Sequence, residues 1–365
     1  MNDPDLAPLC DKIIGDDAVA KLQLASAFKK QTGRPWFLNV GFRKPHMGWR
    51  FPAAFLKYYA APEDTVLAAH PTMDMSVPSI AHHTPDLGSQ DGGNPYMPMP
   101  NTTAQWSRLS YYSAVSWVDS QLGRVISELD TQKQTAETLV VLHADHGWNL
   151  GEHGQWQKFT NWETGVRVPL IISAPWLPQS VGLRSASIVE LVDIMPTTIE
   201  LAGLRSPAGE ILDGTSLAPL LQKPLAPAQS WDKVALSQYP RCPASKDGKT
   251  WTTNTSLMWI NNWCEFTDKV DIPWMGFSMR TAQFRYTEWA KWDGATQRAD
   301  WQVLAGKELY SHTDVDNNDF DATENRNLVH EPGRAPDVAQ LSAQLHALVK
   351  GQEPARQCWG AECWV

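Results

Sequence analysis

The chain has 365 residues, 31 Lys+Arg against 40 Asp+Glu for a formal net charge of −9, and 42% hydrophobic residues. That is enough apolar sequence for a sizeable core, and an acidic balance without any clustered Lys/Arg run excludes a nucleic-acid backbone as the main partner. No apolar stretch approaches the roughly 20 residues that a membrane-spanning helix needs, and the 26 Pro and 23 Gly are scattered, which points to long loops carrying the chemistry.

Residues 18–30 place Leu22, Ala25 and Phe28 on one side and stop at Thr32-Gly33, which predicts a helix; the apolar run over 36–40 predicts a buried strand. A second helix is predicted over 105–129, where Ala114, Val118, Leu122, Val125 and Leu129 form a stripe at helical spacing. Strands follow over 138–142 and 168–172. Asp193 is placed to cap a helix with Pro196 in its first turn and Gly203 at its end. This alternation of strand and helix is the pattern of an α/β unit with a central, mostly parallel sheet. Beyond residue 225 the pattern changes to two alternating strands, 277–281 and 284–289, around a tight turn, then a helix over 336–350 bearing Val338, Leu341, Leu345 and Val349. The expected division is therefore 1–225 and a smaller α+β subdomain, 226–365.

Five cysteines, Cys10, Cys242, Cys264, Cys358 and Cys363, include no CxxC pair, so a zinc knuckle is not supported. Two local disulfides stay open, with Cys10 as the odd thiol. Asn101-Thr102-Thr103 and Asn254-Thr255-Ser256 have the form of glycosylation acceptors, which counts only in a secretory compartment.

In open α/β sheets ligands bind beyond the carboxyl ends of the strands, so the residues after each apolar run come first. After the 138–142 run stand His143-Ala144-Asp145-His146-Gly147-Trp148; after 36–40 stand Arg43-Lys44-Pro45-His46. Asp145 and His146 at a strand end could turn toward one divalent metal, against the reading of a capping Asp beside a structural His; two ligands alone cannot hold an ion. Lys158, set among Trp156 and Phe159, could present its ammonium to an anion or be an ordinary solvated lysine. His46, after a proline-fixed turn, is either held for work or a satisfied loop histidine. Taken together, a metal, a lysine and a histidine describe a site for a doubly charged tetrahedral group such as sulfate or phosphate.

These residues sit in segments through which the chain resembles the sulfatases of the alkaline phosphatase superfamily, in particular the iduronate 2-sulfatase branch. The segments are PWFLNVGFRKPH (35–46), SAVSWVDSQLGRVISELD (113–130), DHGWNLGEHGQWQKFTNWE (145–163), VRVPLII (166–172), VELVDIMPTTIELAGL (189–204), SQYPR (237–241), MGFSMRTAQFRYTEW (275–289) and KELYSHTDVDNN (307–318). The resemblance implies an alkaline-phosphatase-like sandwich over 1–225. It implies that Asp145 and His146 are calcium (Ca2+) ligands, His46 and Lys158 catalytic contacts to sulfate, and Trp148 a wall of the sugar pocket. It implies hydrolysis of a 2-O-sulfate from a uronic acid in a heparan or dermatan sulfate-like glycosaminoglycan, in the lysosome or the extracellular space.

The family nucleophile, a formylglycine made from Cys in C-x-P-S-R, has no counterpart here, and Cys242-Pro243-Ala244-Ser245-Lys246 lacks the arginine. The family's first metal-binding Asp-Asp pair is absent as well. The resemblance thus implies an N-terminally truncated catalytic domain, marginal in stability and inactive alone. A catalytically dead relative that binds sulfated glycans, and a metal-dependent phosphodiesterase or phosphonate hydrolase of the same superfamily, stand as alternatives. Asp314-x-Asp316-x-Asn318 begins like a calcium loop, but Asp319 and Asn325 replace the Gly and Glu such a loop needs.

Overall fold

A computed structural model describes residues 9–83, 95–206, 211–223, 231–242, 264, 267–313, 315, 319 and 322–352. The first helix, α1 (Cys10–Thr32), begins earlier than its apolar pattern predicts and ends on Gly33, whose left-handed φ of 69° and N–H to the Lys29 carbonyl close the last turn. Its inward stripe is Asp11, Gly15, Ala18, Leu22 and Ser26; Phe28 points outward instead. Asp11 and Ser26 are buried because each has a partner: the Asp11 carboxylate accepts from the Arg43 and Lys44 amides at 2.6 and 3.2 Å, and Ser26 accepts from Gln134 at 2.7 Å.

Over 36–40 no ladder forms among the described residues. The period-two burial of a strand is present, with Trp36, Leu38 and Val40 half-buried and Phe37 85% exposed. No described strand lies alongside to supply ladder partners. The long helix α2 (Asn101–Thr131) packs against α1, buries Ala104, Leu109, Ala114, Trp117 and Leu129, and joins Met99, Leu150 and Trp156 in a small core.

Then come β1 (Val140–His143), the short pair β2 (Asn149–Leu150) and β3 (Trp156–Gln157), the single turn α3 (Glu163–Val166) and β4 (Leu170–Ser173). β1 and β4 pair antiparallel, Val140 opposite Ser173 and His143 opposite Leu170. The sequence predicts a mostly parallel sheet over this region, and this described pair runs antiparallel instead. Parallel neighbours need a crossover, usually a helix, running back over the sheet, whereas residues 144–169 form a loop, a two-residue hairpin pair and one helical turn. Next, α4 (Ile194–Leu201) follows Asp193, whose carboxylate accepts from the Glu190 and Thr215 amides. It is succeeded by α5 (Ala218–Gln222).

The remaining strands, β5 (Ala235–Arg241), β6 (Trp274–Arg280), β7 (Phe284–Asp293) and β8 (Arg298–Ser311), form one antiparallel meander in chain order. Both its faces are covered. Met275, Phe277 and Met279 of β6 with Tyr286 and Leu309 face α6 (Ala335–Gln352), where Val338, Leu341, Leu345 and Val349 pack as their spacing predicts. The alternate residues face the other way: Trp289 and Tyr310 meet Met73, Val77, Ile80, Ala81 and Trp162 in a single core. Residues on either side of position 225 thus share one interior, while 224–230 lie outside the described residues. Cys242 and Cys264 form a disulfide and Cys10 is free and exposed; Cys358, Cys363 and Asn254 lie outside the described residues.

Candidate functional site

β1 delivers the chain to Asp145 and His146, and the turn behind them is built for close approach. The Gly147 amide donates to the Gly165 carbonyl at 2.9 Å, and a Cβ at Gly147 would run into the carbonyl oxygens of Thr164 and Arg167. On the returning arm Lys158 stands between two residues with left-handed backbones, Gln157 (φ 65°) and Phe159 (φ 76°). Such conformations cost of order 1–3 kcal/mol each and persist only where the surroundings impose them. Here the Gln155 side-chain amide donates to the Trp156 carbonyl at 2.8 Å, and the buried Arg241 guanidinium donates to the carbonyls of Phe159, Ile80 and Ala81 at 3.2, 2.7 and 2.8 Å.

The result brings Lys158 Nζ to 2.9 Å from His146 Nε2. His146 Nδ1 lies 2.8 Å from the Gly147 carbonyl oxygen; a carbonyl can only accept, so Nδ1 carries the proton and Nε2 presents its lone pair. Asp145 Oδ2 is 3.4 Å from that same Nε2, on a side chain 85% exposed. Trp148 lies beside this group, with its ring 6.3 Å from His146, 6.0 Å from His46 and 6.0 Å from Tyr111. Its indole N–H is buried with no hydrogen-bond partner among the described residues.

His46 comes from the other loop, which is pinned separately. The Lys44 ammonium donates to the carbonyls of His46 and Gly48 at 2.9 and 3.0 Å, and the Trp49 indole donates to the Pro45 carbonyl at 2.9 Å. Burial lowers the Lys44 pKa, and the neighbouring Asp11 works against that shift. Of the five residues singled out from the sequence, Asp145, His146 and Lys158 form one contact group, and Trp148 lies between His146 and His46 of the other loop, its ring 6.3 and 6.0 Å from theirs. No hydrogen bond joins His46 to Lys158 among the described residues. Tyr111 and Asp11 escaped the sequence reading, and Arg241 entered it only as the end of the SQYPR segment with no role, because each acts through a fold-level contact that local pattern does not record.

Oδ2 of Asp145 and Nε2 of His146 could both reach one ion at about 2.0–2.4 Å. The donor set fits part of a coordination sphere, with one oxygen and one nitrogen; an all-oxygen set would suit calcium better. Lys158 Nζ already lies on that same Nε2 lone pair, so the ammonium and an ion would compete for it. A second group, Glu163, His312 and Glu324, brings three ligand atoms within 4.8 Å of one another and is buried. Cations already occupy it: Arg285 bridges Glu163 and Glu324, Arg280 Nε lies 3.4 Å from Glu163, and His312 Nε2 lies 2.9 Å from Glu324. Burial alone would raise the Glu324 carboxyl, but Arg285 and His312 outweigh it and hold its pKa well below the usual range.

The sulfatase family model matches residues 2–204, more than half of the chain. The chain belongs to the sulfatase family. It is 30% identical to iduronate 2-sulfatase of Mus musculus over 370 residues, an alignment that takes in 88% of this chain and 64% of that relative. The chain thus spans somewhat under two thirds of the relative's length. Among solved structures it superposes on the phosphonate monoester hydrolase of Silicibacter pomeroyi with a TM-score of 0.68 at 24% identity, covering 95% of this chain and 61% of that one. A protein solved in complex with its substrate D-glucosamine-2-N,6-O-disulfate gives 0.61 at 20%, covering 94% and 70%. At such identities these likenesses show the fold alone: an α/β, alkaline-phosphatase-like protein with a C-terminal sheet. In this sulfatase-family chain Cys242, the nearest approach to a nucleophile motif, is fully buried and disulfide-bonded, which removes it from nucleophilic chemistry.

Proposed function

We propose that the chain carries the sulfate-recognition half of a sulfuric ester hydrolase acting on a sulfated sugar, with the 2-O-sulfate of a uronic acid in a heparan or dermatan sulfate-like glycan as the substrate class. The observation that supports it most directly is the Lys158 ammonium held 2.9 Å from His146 Nε2 beside Asp145, a cation poised next to a metal-competent pair. The Lys158 N–H groups donate to sulfate oxygens and offset the charge that gathers there as the S–O ester bond breaks. His46 contributes a ring nitrogen from the opposite loop, and Trp148, with its buried indole N–H, walls the sugar. Asp145 and His146 would hold a divalent cation, calcium in this reading, which when bound draws charge from the sulfate oxygens. The residues assigned here bind and orient; none is a nucleophile, so this chain by itself is expected to release no sulfate.

Residues 1–225 then form the recognition unit and 226–365 the subdomain that buttresses its loop. The Cys242–Cys264 disulfide supports a lysosomal or extracellular setting. No described helix is long and apolar enough to cross a membrane. A metal-dependent phosphonate or phosphodiester hydrolase is the second reading, supported by the fold likeness at TM-score 0.68; a sulfated-glycan-binding relative without activity is the third.

Calorimetric titration of the chain with a 2-O-sulfated uronate disaccharide, its unsulfated counterpart and a phosphonate monoester, each with and without Ca2+, tests the proposal. The sulfated sugar should bind at least about tenfold tighter than either competitor, a difference of about 1.4 kcal/mol. Equal affinity for sulfated and unsulfated sugar would sink the proposal, and preference for the phosphonate would transfer it to the second reading.

A further inference from the structure

The two loops that carry the candidate site are joined by a hydrogen bond of their own. The side-chain amide of Gln157 donates to Sδ of Met47 at 2.9 Å. Gln157 directly precedes Lys158 and Met47 directly follows His46, so the bond links the immediate neighbours of the lysine and the histidine.

Both ends of this contact are held. Gln157 is 4% exposed, and its left-handed backbone lies opposite Asn149 in the β2–β3 pair. The Asn149 side-chain amide donates to the Gln157 carbonyl at 2.7 Å, and Asn149 Oδ1 accepts from the hydroxyl of Thr164 in α3. Asn149 and Thr164 are buried as well. On the other loop Met47 has two contacts. Its sulfur accepts from Gln157, and its carbonyl oxygen lies 3.0 Å from His46 Nδ1. A carbonyl can only accept, so Nδ1 carries the proton and Nε2 is left to meet a ligand. The ring of His46 is therefore oriented by the same residue that Gln157 holds. A thioether is a weak acceptor, but a buried amide that loses its acceptor is penalised by more than the bond itself contributes, which keeps Met47 in place.

The geometry points to Gln157 as a positioning residue: through Met47 it sets where the His46 ring stands relative to Lys158, so that the two loops address one sulfate. Gln157 itself touches no substrate. The inference rests on the sulfated-sugar reading above and names what couples its two loops.

The test has two readouts. In the first, long-range proton–nitrogen NMR spectra of the histidine rings are recorded without ligand at pH about 8, where an ordinary imidazole is neutral. The intact chain should show His46 with its proton on Nδ1. Gln157→Leu keeps the bulk and removes the donor, and should turn His46 into a mixture of both tautomers. Met47→Leu, a volume-conserving change, breaks the same contact from the other loop, should do the same, and decides the matter if Gln157→Leu does not fold. Unchanged His46 signals in a folded variant overturn the proposal. The second readout is calorimetric affinity for a 2-O-sulfated uronate disaccharide. Each single variant should weaken binding about three- to tenfold, the scale of one hydrogen bond, and the double variant no further. In a His46→Ala background Gln157→Leu should change nothing, whereas a general loosening of the loop would still weaken binding there, and that result overturns the proposal. An intact chain that does not bind the disaccharide overturns the sulfated-sugar reading, and the ring spectra then decide the role of Gln157 by themselves.

Discussion

At the level of single residues the candidate site depends on charge placed where the backbone resists placing it. Lys158 points at His146 because its two neighbours adopt left-handed conformations, so side-chain chemistry and backbone strain can be separated by mutation. Lys158→Ala should cost about 1.5–3 kcal/mol of sulfated-sugar binding, the scale of a hydrogen bond to a charged group, with little change in the urea midpoint. A variant that keeps full affinity would remove Lys158 from the site. Asp145→Asn bears on the metal instead: in calorimetry it should abolish any Ca2+-dependent gain in sugar affinity, and a gain that persists would move the ion elsewhere. The types of these residues could be read from the chain, since Asp-His-Gly after an apolar run and Lys-Pro-His after another are local patterns. The placing of Trp148 between His146 and His46 could not, because about a hundred residues separate the two loops.

At the scale of elements, the C-terminal sheet acts as the wall that holds the site loop. Arg285 of β7 reaches Glu163 just past the loop, the Glu163 amide donates to Glu324 at 2.6 Å, and Arg241 of β5 grips the Phe159 carbonyl. Glu324→Gln would leave Arg285 and His312 with one carboxylate fewer in a buried setting, and should destabilise the fold by about 3–5 kcal/mol in chemical denaturation. A loss under about 1 kcal/mol would mean that the cluster is solvated and the loop is held by something else. Helices with a clear 3.6-residue stripe, such as α6, and strands with clean alternation, such as β6 and β7, were legible because one periodicity decided them. The 36–40 run has the strand pattern and no ladder among the described residues, since pairing depends on a neighbour that local pattern does not supply. For the same reason the direction of β1 against β4 was not legible.

Across the whole molecule, two buried histidines link stability to pH. His82 and His153 are pushed down to about 4 by burial, from an ordinary 6.5. Between pH 6.5 and 4 the unfolded chain therefore takes up protons that the folded chain refuses. Stability should be fully present above pH 6.5 and fall as pH drops through this window, by about 1.4 kcal/mol per pH unit for each histidine. His82→Gln should flatten that slope by about half in denaturation measured from pH 7 to 4.5. An unchanged slope would show that His82 is protonated in the folded chain.

Local order along the chain is enough to settle what short-range physics controls: which segments are helical, which alternate, and which loops carry ligating or cationic side chains next to a glycine. Those features come from side-chain size, backbone freedom and periodicity, each expressed within a few residues. Folding decided the rest. It set the Cys242–Cys264 pairing among the open alternatives, the sharing of one core by residues on both sides of position 225, and the use of Arg241 and Arg285 as supports for a loop far away in the chain. Contacts of that kind arise only when distant segments compete for the same buried space, and no single segment contains the outcome.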